Sequence, residues 1–270
     1  MVNVFPNRLS DAIAVAGALC VGLDPSPESL ERWGLPDSPA GALEMCAVVL
    51  ESCNGLVGIV KPQVGFFERF GSSGFSVLEQ VIKDAHTAGL AVIADAKRGD
   101  IGSTMTGYAS AWLGDGPMQS DAMTVTPYQG FASLEPAFAQ AEETGATVFV
   151  LCATSNPDAV TIQGGTREGE SIPALVARCA RERSGSTNTV GLVVGATRPL
   201  AASGLDESDL AGLTVLAPGF GAQGAELSQL RDIFGSVSLR VIPSVSRSVL
   251  VGGPTGVREK IARHLKELGL

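Results

Sequence analysis

The stretch DAKRGD at residues 95–100 sets two carboxylates and an ammonium group within six positions. In an extended chain side chains alternate, so Asp95 and Lys97 point to one side while Ala96 points to the other. Asp100 follows Arg98 and Gly99, where a turn returns it to the pair or sends it to a neighbouring subunit. A second ammonium, Lys61, ends an earlier apolar run, LVGIV. Each opposite charge at about 4 Å favours a group's charged form by on the order of 4 kcal/mol at an effective dielectric of 20. A lysine between carboxylates is therefore held as an ammonium and donates protons. Schiff-base lysines need the reverse environment, so an aldolase-type mechanism fits less well. A proton donor beside a fixed carboxylate suits a reaction in which a carbanion develops and is neutralised, and loss of carbon dioxide is one. The bland alternative is a cluster of surface salt bridges, which contribute little on any protein. The position of the charges, at the ends of apolar runs, favours function.

A second constellation lies later in the chain. In PGFGAQG the glycines Gly219, Gly221 and Gly224 satisfy the GxGxxG pattern, which alone is weak evidence. A dinucleotide fingerprint opens its domain and is followed by an acidic residue ending a second strand, and this one sits at the seventh apolar run. It reads better as a loop from Pro218 to Gly224 whose backbone N–H groups approach a phosphate. Gln223 would bridge to the ligand, and Arg247 of PSVSRSVL would grip the dianion with forked hydrogen bonds. The plain alternative is glycines for tight turns and a solvated Arg247.

The two histidines, His86 and His264, sit in VIKDAHTAG and IARHLKEL, patterns of outer helices, and read as solvated surface residues. A Ser-His-Asp or Cys-His mechanism is not expected, nor a histidine-based metal site, because no His, Cys or carboxylate ligands show the usual spacing. Acid, base and electrostatic work falls to Asp and Lys.

These groups need elements that end beside one another. Eight short apolar runs recur with helical patterns between them: ALCVGL before Asp24, LVGIV before Lys61, LAVIA before Asp95, AMTVT before Pro127, TVFVLC, VGLVVG, TVLA before Pro218 and LRVI before Pro243. Runs too continuous for half-exposed strands imply a parallel sheet covered on both faces. Helices are expected over 41–53, 76–88, 133–143 and 172–183. Eight strands suggest a closed α/β barrel, the (β/α)8 or TIM barrel, as one domain over 1–270 with a loop or helix insertion around 163–189. An open doubly wound sheet stays possible, since periodicity does not report closure; in both architectures chemistry belongs at the carboxyl ends of the strands. Residues 12–23 superficially resemble a signal peptide, but Asp11 and Asp24 flank them, and they read as helix end, turn and first strand. That stretch is also too short for a membrane span. The 28 acidic against 19 basic side chains give a net charge of −9, which makes nucleic acid and anionic membrane poor partners. An anionic ligand must be held by local donors. Five cysteines with no CxxC pair point to reduced, buried thiols and a cytoplasmic setting.

DAKRGDIGST resembles the D-x-K-x-x-D-I-x-x-T signature of the orotidine 5'-phosphate decarboxylase family, in particular its longer bacterial (type 2) branch. CVGLDPSP is similar to the family's first strand, VKPQVGFFE to its second, TSNP to the loop after the fifth, PGFGAQG to the seventh loop, and SRS to the phosphate-binding start of the last helix. The resemblance implies a homodimeric barrel, without metal or cofactor, converting orotidine 5'-monophosphate to uridine 5'-monophosphate and carbon dioxide in pyrimidine synthesis. By matching position it implies that Lys97 delivers a proton to C6, Asp95 crowds the substrate carboxylate, and Lys61 orders the charges and reaches the ribose. Asp100 and Thr104 would come from the partner subunit. Asp24 would bind ribose or ring edge, Ser155 the pyrimidine, and Gln223 with Arg247 the phosphate, next to Pro218 and Gly221 of the closing loop. Gly102 and Ser103 replace a Pro-Asn common in shorter members, and Asn156 replaces their His. Two alternatives remain: a magnesium-dependent sugar-phosphate lyase of the same superfamily, which carries an acidic ligand where Lys61 stands, and a phosphate-binding barrel without catalysis.

Overall fold

Parallel strands with both faces covered must be apolar on both, and the eight runs are. In the computed structural model, which describes residues 7–185 and 187–269, they form β1 (Cys20–Leu23), β2 (Ile59–Pro62), β3 (Ala91–Arg98), β4 (Ala122–Val125), β5 (Thr147–Ala153), β8 (Val190–Val194), β9 (Thr214–Pro218) and β10 (Val241–Val245). They close in the order β1-β10-β9-β8-β5-β4-β3-β2, every pair parallel. This is a single-domain (β/α)8 barrel, and the open-sheet alternative falls with the β1–β10 pairing of Cys20 with Ser244. The first six residues, Ser186 and Leu270, part of the 1–270 range, lie outside the described residues.

Alternation sorts each strand. Cys20, Ile59, Ala91, Ile93, Ala122, Phe149, Leu216 and Ile242 point inward and pack as an inner core. Val21, Val60, Val92, Met123, Val150 and Val215 point outward into the shell beneath the helices. The helices are α1 (Asn7–Ala16), α2 (Pro27–Arg32), α3 (Pro39–Cys53), α4 (Gly65–Glu68), α5 (Ser72–Thr87), α6 (Gly102–Leu113), α7 (Glu135–Thr144), α8 (Val160–Gln163), α9 (Ile172–Ser184), α10 (Leu230–Phe234), α11 (Arg247–Leu250) and α12 (Val257–Glu267). Ser26, Ser38 and Ser171 cap α2, α3 and α9, each accepting a backbone N–H from three residues on, with proline in the first turn. Helix α1 lies across the amino-terminal end of the barrel. Its Leu9 is wholly buried in the inner core, and Gly58 beside β2 approaches Ala12 so closely that a Cβ there would stand 2.3 Å from the Ala12 carbonyl oxygen.

Segment 163–189, expected as a loop or helix insertion, holds a small hairpin of β6 (Thr166–Arg167) and β7 (Glu170–Ser171), followed by α9 where a helix over 172–183 was expected. Its two-residue turn has positive φ at both Glu168 and Gly169. The SRS segment does not start the last helix: it begins the short α11, and α12 follows separately. His86 is exposed as expected, 3.0 Å from Asp121. The solvated reading of His264 is wrong. It is 8% exposed, because Val257, Ile261 and His264, spaced four and three apart, form the buried face of α12. Four cysteines are buried and Cys179 is intermediate; all five are free.

Candidate active site

The inward register of neighbouring strands carries the polar groups to one mouth. Two residues beyond Cys20 and Gly22 comes Asp24; beyond Ile59, Lys61; beyond Ala91 and Ile93, Asp95; beyond Ala122, Thr124. Lys61 Nζ donates to Asp95 Oδ2 at 2.8 Å, and Lys97 Nζ donates to Asp95 Oδ1 at 2.5 Å. Side-chain exposure separates the roles, at 9% for Lys61 and 12% for Asp95 but 43% for Lys97. The first ammonium is a buried support, whereas the second opens into the mouth. Burial pushes the Asp95 carboxyl up, yet Lys61 and Lys97 outweigh it and hold it well below the usual carboxylate range. Burial alone would lower Lys61, but Asp95 and Asp24 outweigh it and hold the ammonium above the usual lysine range. The centre is therefore a fixed carboxylate between two cations.

Strand alternation explains only part of this pairing. Lys97 has φ +48°, a left-handed value uncommon outside glycine, and the β3–β4 register shifts between Ala94 and Arg98. The bulge is held from three sides. Lys97 N–H donates to Thr124 Oγ1 at 3.0 Å, and Thr124 Oγ1–H donates to Asp95 Oδ1 at 2.9 Å. Arg98 donates to the Ala96 carbonyl at 2.8 Å, ion-pairs with Glu68, and sits 5.8 Å from the ring centroids of Tyr108 and Trp112. Sequence reasoning missed Thr124. The signal was its place two residues after the inward Ala122, hidden because threonine is also an ordinary strand residue.

Asp24 stands across the mouth. Ser246 Oγ donates to its Oδ2 at 2.5 Å, while the buried Oδ1 has no protein partner among the described residues. Burial raises the Asp24 carboxyl above its ordinary value despite the nearby Lys61 ammonium. The Asp24 Oδ1 is thus a buried acceptor left unsatisfied among the described residues. Gly22 makes the arrangement possible, since a Cβ there would lie 2.6 Å from Ser246 Cβ.

The loops after β5 and β9 meet where Ser155 Oγ donates to Gln223 Oε1 at 3.1 Å. The glycine loop is folded on itself: Gly221 N–H donates to the Ala225 carbonyl at 2.8 Å and Gly224 N–H to the Gly221 carbonyl at 2.9 Å. Those two N–H groups are thus occupied within the loop. Pro218 ends β9 and its carbonyl accepts from Ala196 N–H at 2.8 Å. The Arg247 side chain is exposed and without a partner among the described residues. Asp100 does not join the Lys61–Asp95–Lys97 chain within this subunit; its Oδ1 accepts the Ile101 N–H at 2.8 Å. Thr104 is exposed on α6; Ile101, at the cap of that helix, is 62% exposed, and Tyr128, in the loop after β4, is 76% exposed.

The family model for the orotidine 5'-phosphate decarboxylase / HUMPS family matches residues 17–251. The chain belongs to this family. A protein of Corynebacterium efficiens named orotidine 5'-phosphate decarboxylase is 45% identical, over 94% of this chain and 92% of its own length. The Streptomyces coelicolor protein of the same name is 45% identical, over 98% and 96%. Among solved structures, a Streptomyces avermitilis protein described as a candidate orotidine 5'-phosphate decarboxylase superposes with a TM-score of 0.90 at 42% identity, covering 97% of this chain and 93% of its own. The resemblance read from DAKRGDIGST is borne out at the level of the decarboxylase family. Its signature residues Asp95 and Lys97 are those that the barrel brings together with Lys61.

Proposed function

We propose that this chain decarboxylates orotidine 5'-monophosphate to uridine 5'-monophosphate and carbon dioxide in pyrimidine biosynthesis, with Lys97 as the proton donor to C6. The observation that carries the reading is the Lys61–Asp95–Lys97 chain at the barrel mouth, with its carboxylate fixed between two ammonium groups. A substrate carboxylate seated beside Asp95 meets a like charge that cannot turn away. Breaking the bond from C6 to the carboxylate leaves the electron pair on C6, where the Lys97 ammonium first stabilises it and then transfers a proton. Solvent reprotonates the lysine. Lys61 keeps Asp95 ionised throughout.

The largest enzymatic accelerations correspond to a barrier lowered by about 20 kcal/mol or more. One general acid contributes only about 10²- to 10⁴-fold. The remainder falls to preorganised charge and to binding far from the reacting bond. Asp24, held at Oδ2 by Ser246, takes the ribose. Ser155 takes the pyrimidine edge, and Gln223 with Arg247 takes the phosphate as loop 218–224 closes. Asp100 and Thr104 complete the pocket of a second copy in a homodimer. The exposed Ile101, next to Asp100 in the chain, and the exposed Tyr128 support that interface. The same reading treats 163–189 as an insertion in a one-domain chain working in the cytoplasm. The magnesium-dependent lyase draws no support from the site, because the Lys61 ammonium stands beside Asp95 and would repel a cation.

The test is loss of the near-ultraviolet band of orotidine 5'-monophosphate on adding the purified chain, with EDTA present. Lys97→Ala is expected to abolish the change while circular dichroism stays native. Normal turnover by a folded Lys97→Ala protein would refute the mechanism. Tight binding without spectral change in the parent chain would favour the non-catalytic barrel.

A further inference from the structure

A second polar chain, which the mechanism above does not use, lies behind the phosphate end of the pocket. Ser248 Oγ is 2.9 Å from His264 Nε2, and His264 Nδ1 is 3.0 Å from Glu267 Oε2. The imidazole is enclosed, with 10% of the side chain exposed, whereas Glu267 keeps 41% and reaches solvent. A carboxylate only accepts, so the imidazole directs an Nδ1 proton at Glu267 and shares a hydrogen bond with the Ser248 hydroxyl through Nε2. The ring is thereby held in one orientation.

Serine, histidine and glutamate in series have the connectivity of a nucleophilic triad, yet Ser248 has the glycine loop pressed against it. Gly221, at φ +72°, approaches so closely that a Cβ there would lie 2.5 Å from Ser248 Oγ and 3.8 Å from His264 Cε1. The contact lies just beyond the paired ends of β9 and β10, where Pro218 stands opposite Ser244. Ser248 directly follows Arg247 on α11, and Gly221 precedes Gln223 by two residues in the loop after β9. The contact thus sets the backbone of the loop that bears Gln223 against the helix start that bears Arg247.

We propose that Ser248, His264 and Glu267 are positioning residues for a phosphate dianion, holding loop 218–224 against α11 so that Gln223 and Arg247 stand ready for one ligand. This rests on the site reading given under the proposed function. A histidine buried only for stability would not distinguish a nucleotide from its nucleoside; a phosphate-positioning one must.

The experiment is calorimetric titration of the full chain with uridine 5'-monophosphate and, separately, with uridine. Ser248→Ala and His264→Leu are expected to weaken nucleotide binding by about tenfold, the scale of one buried hydrogen bond, with nucleoside affinity changed less than about twofold. His264→Gln, which keeps an amide acceptor for Ser248, is expected to recover most of the loss. Equal losses for both ligands, or none, would overturn the proposal. Parent protein that binds the nucleotide alongside unaffected variants sinks the relay alone, whereas parent protein that binds neither ligand sinks the site reading and the relay together. Should His264→Leu fail to fold by circular dichroism, Ser248→Ala, which removes a single oxygen, decides the question.

Discussion

Thr124 spends one hydroxyl on both groups whose separation matters, accepting from Lys97 N–H and donating to Asp95. Thr124→Val keeps its shape and removes both bonds. The expected result is kcat lower by roughly ten- to a hundredfold with KM nearly unchanged, because two buried bonds at about 1 kcal/mol or more each act on the reacting geometry. Thr124→Ser should restore most of the rate; a fall in kcat that serine does not rescue would count against this role. The adjoining ion pair sets a pH window. Asp95 is depressed, so its contribution to stability is complete above the unfolded value of about 3.9 and is lost as pH falls through the lower folded value. Lys61 is raised, so its contribution is complete below about 10.4 and is lost as pH rises through the folded value. Asp24 acts in the opposite sense to Asp95, since its raised value makes ionisation destabilising as pH climbs above about 3.9. Urea midpoints followed from acid to alkaline pH should decline at both extremes. Lys61→Met, which leaves Asp95 partly uncompensated, should be less stable near neutrality by about 3 kcal/mol and should lack the alkaline decline attributable to Lys61. An identical alkaline limb in that variant would assign the effect elsewhere.

The strands were legible because a covered parallel sheet leaves continuous apolar runs, and the charges that break those runs at Lys61 and Asp95 stand where the runs end. Alternation also predicted that Asp95 and Lys97 share a side, though for an incomplete reason. The left-handed Lys97 comes from a register shift against β4, a pairing between segments distant in sequence that local pattern does not report. The hairpin of β6 and β7 was too short to show a period, whereas the burial of His264 was readable in its spacing from Val257 and Ile261 and was overridden by its polar neighbours. Register governs the β1–β10 seam as well, where Gly22 admits Ser246 to Asp24. Gly22→Ala should force the two strand ends apart at about 1–3 kcal/mol, the usual range for overpacking, and raise KM by freeing Asp24. A melting temperature and KM that both match the parent would show that the seam has slack.

At the scale of the molecule, eight strands could be counted from sequence, but closure could not, because it depends on the first strand meeting the last. A second copy's contribution to the pocket was an expectation from resemblance alone. If Asp100 and Thr104 serve a neighbouring pocket, then Ile101→Asp combined with Tyr128→Asp should yield a monomer by light scattering, with activity reduced by about a hundredfold or more at low protein concentration, since charge inserted at an apolar contact opposes its burial. A fully active monomer would locate the complete pocket within one chain. The helix at residues 7–16 bears on a different matter. Its Leu9 seals the packed interior at the end of the barrel opposite the neck that holds Asp95, Lys61 and Lys97, so the leading helix and that neck face opposite ways. Tethering the chain to a surface by its leading end should therefore keep that neck facing the solution, and the anchored protein should turn over as freely as the dissolved one.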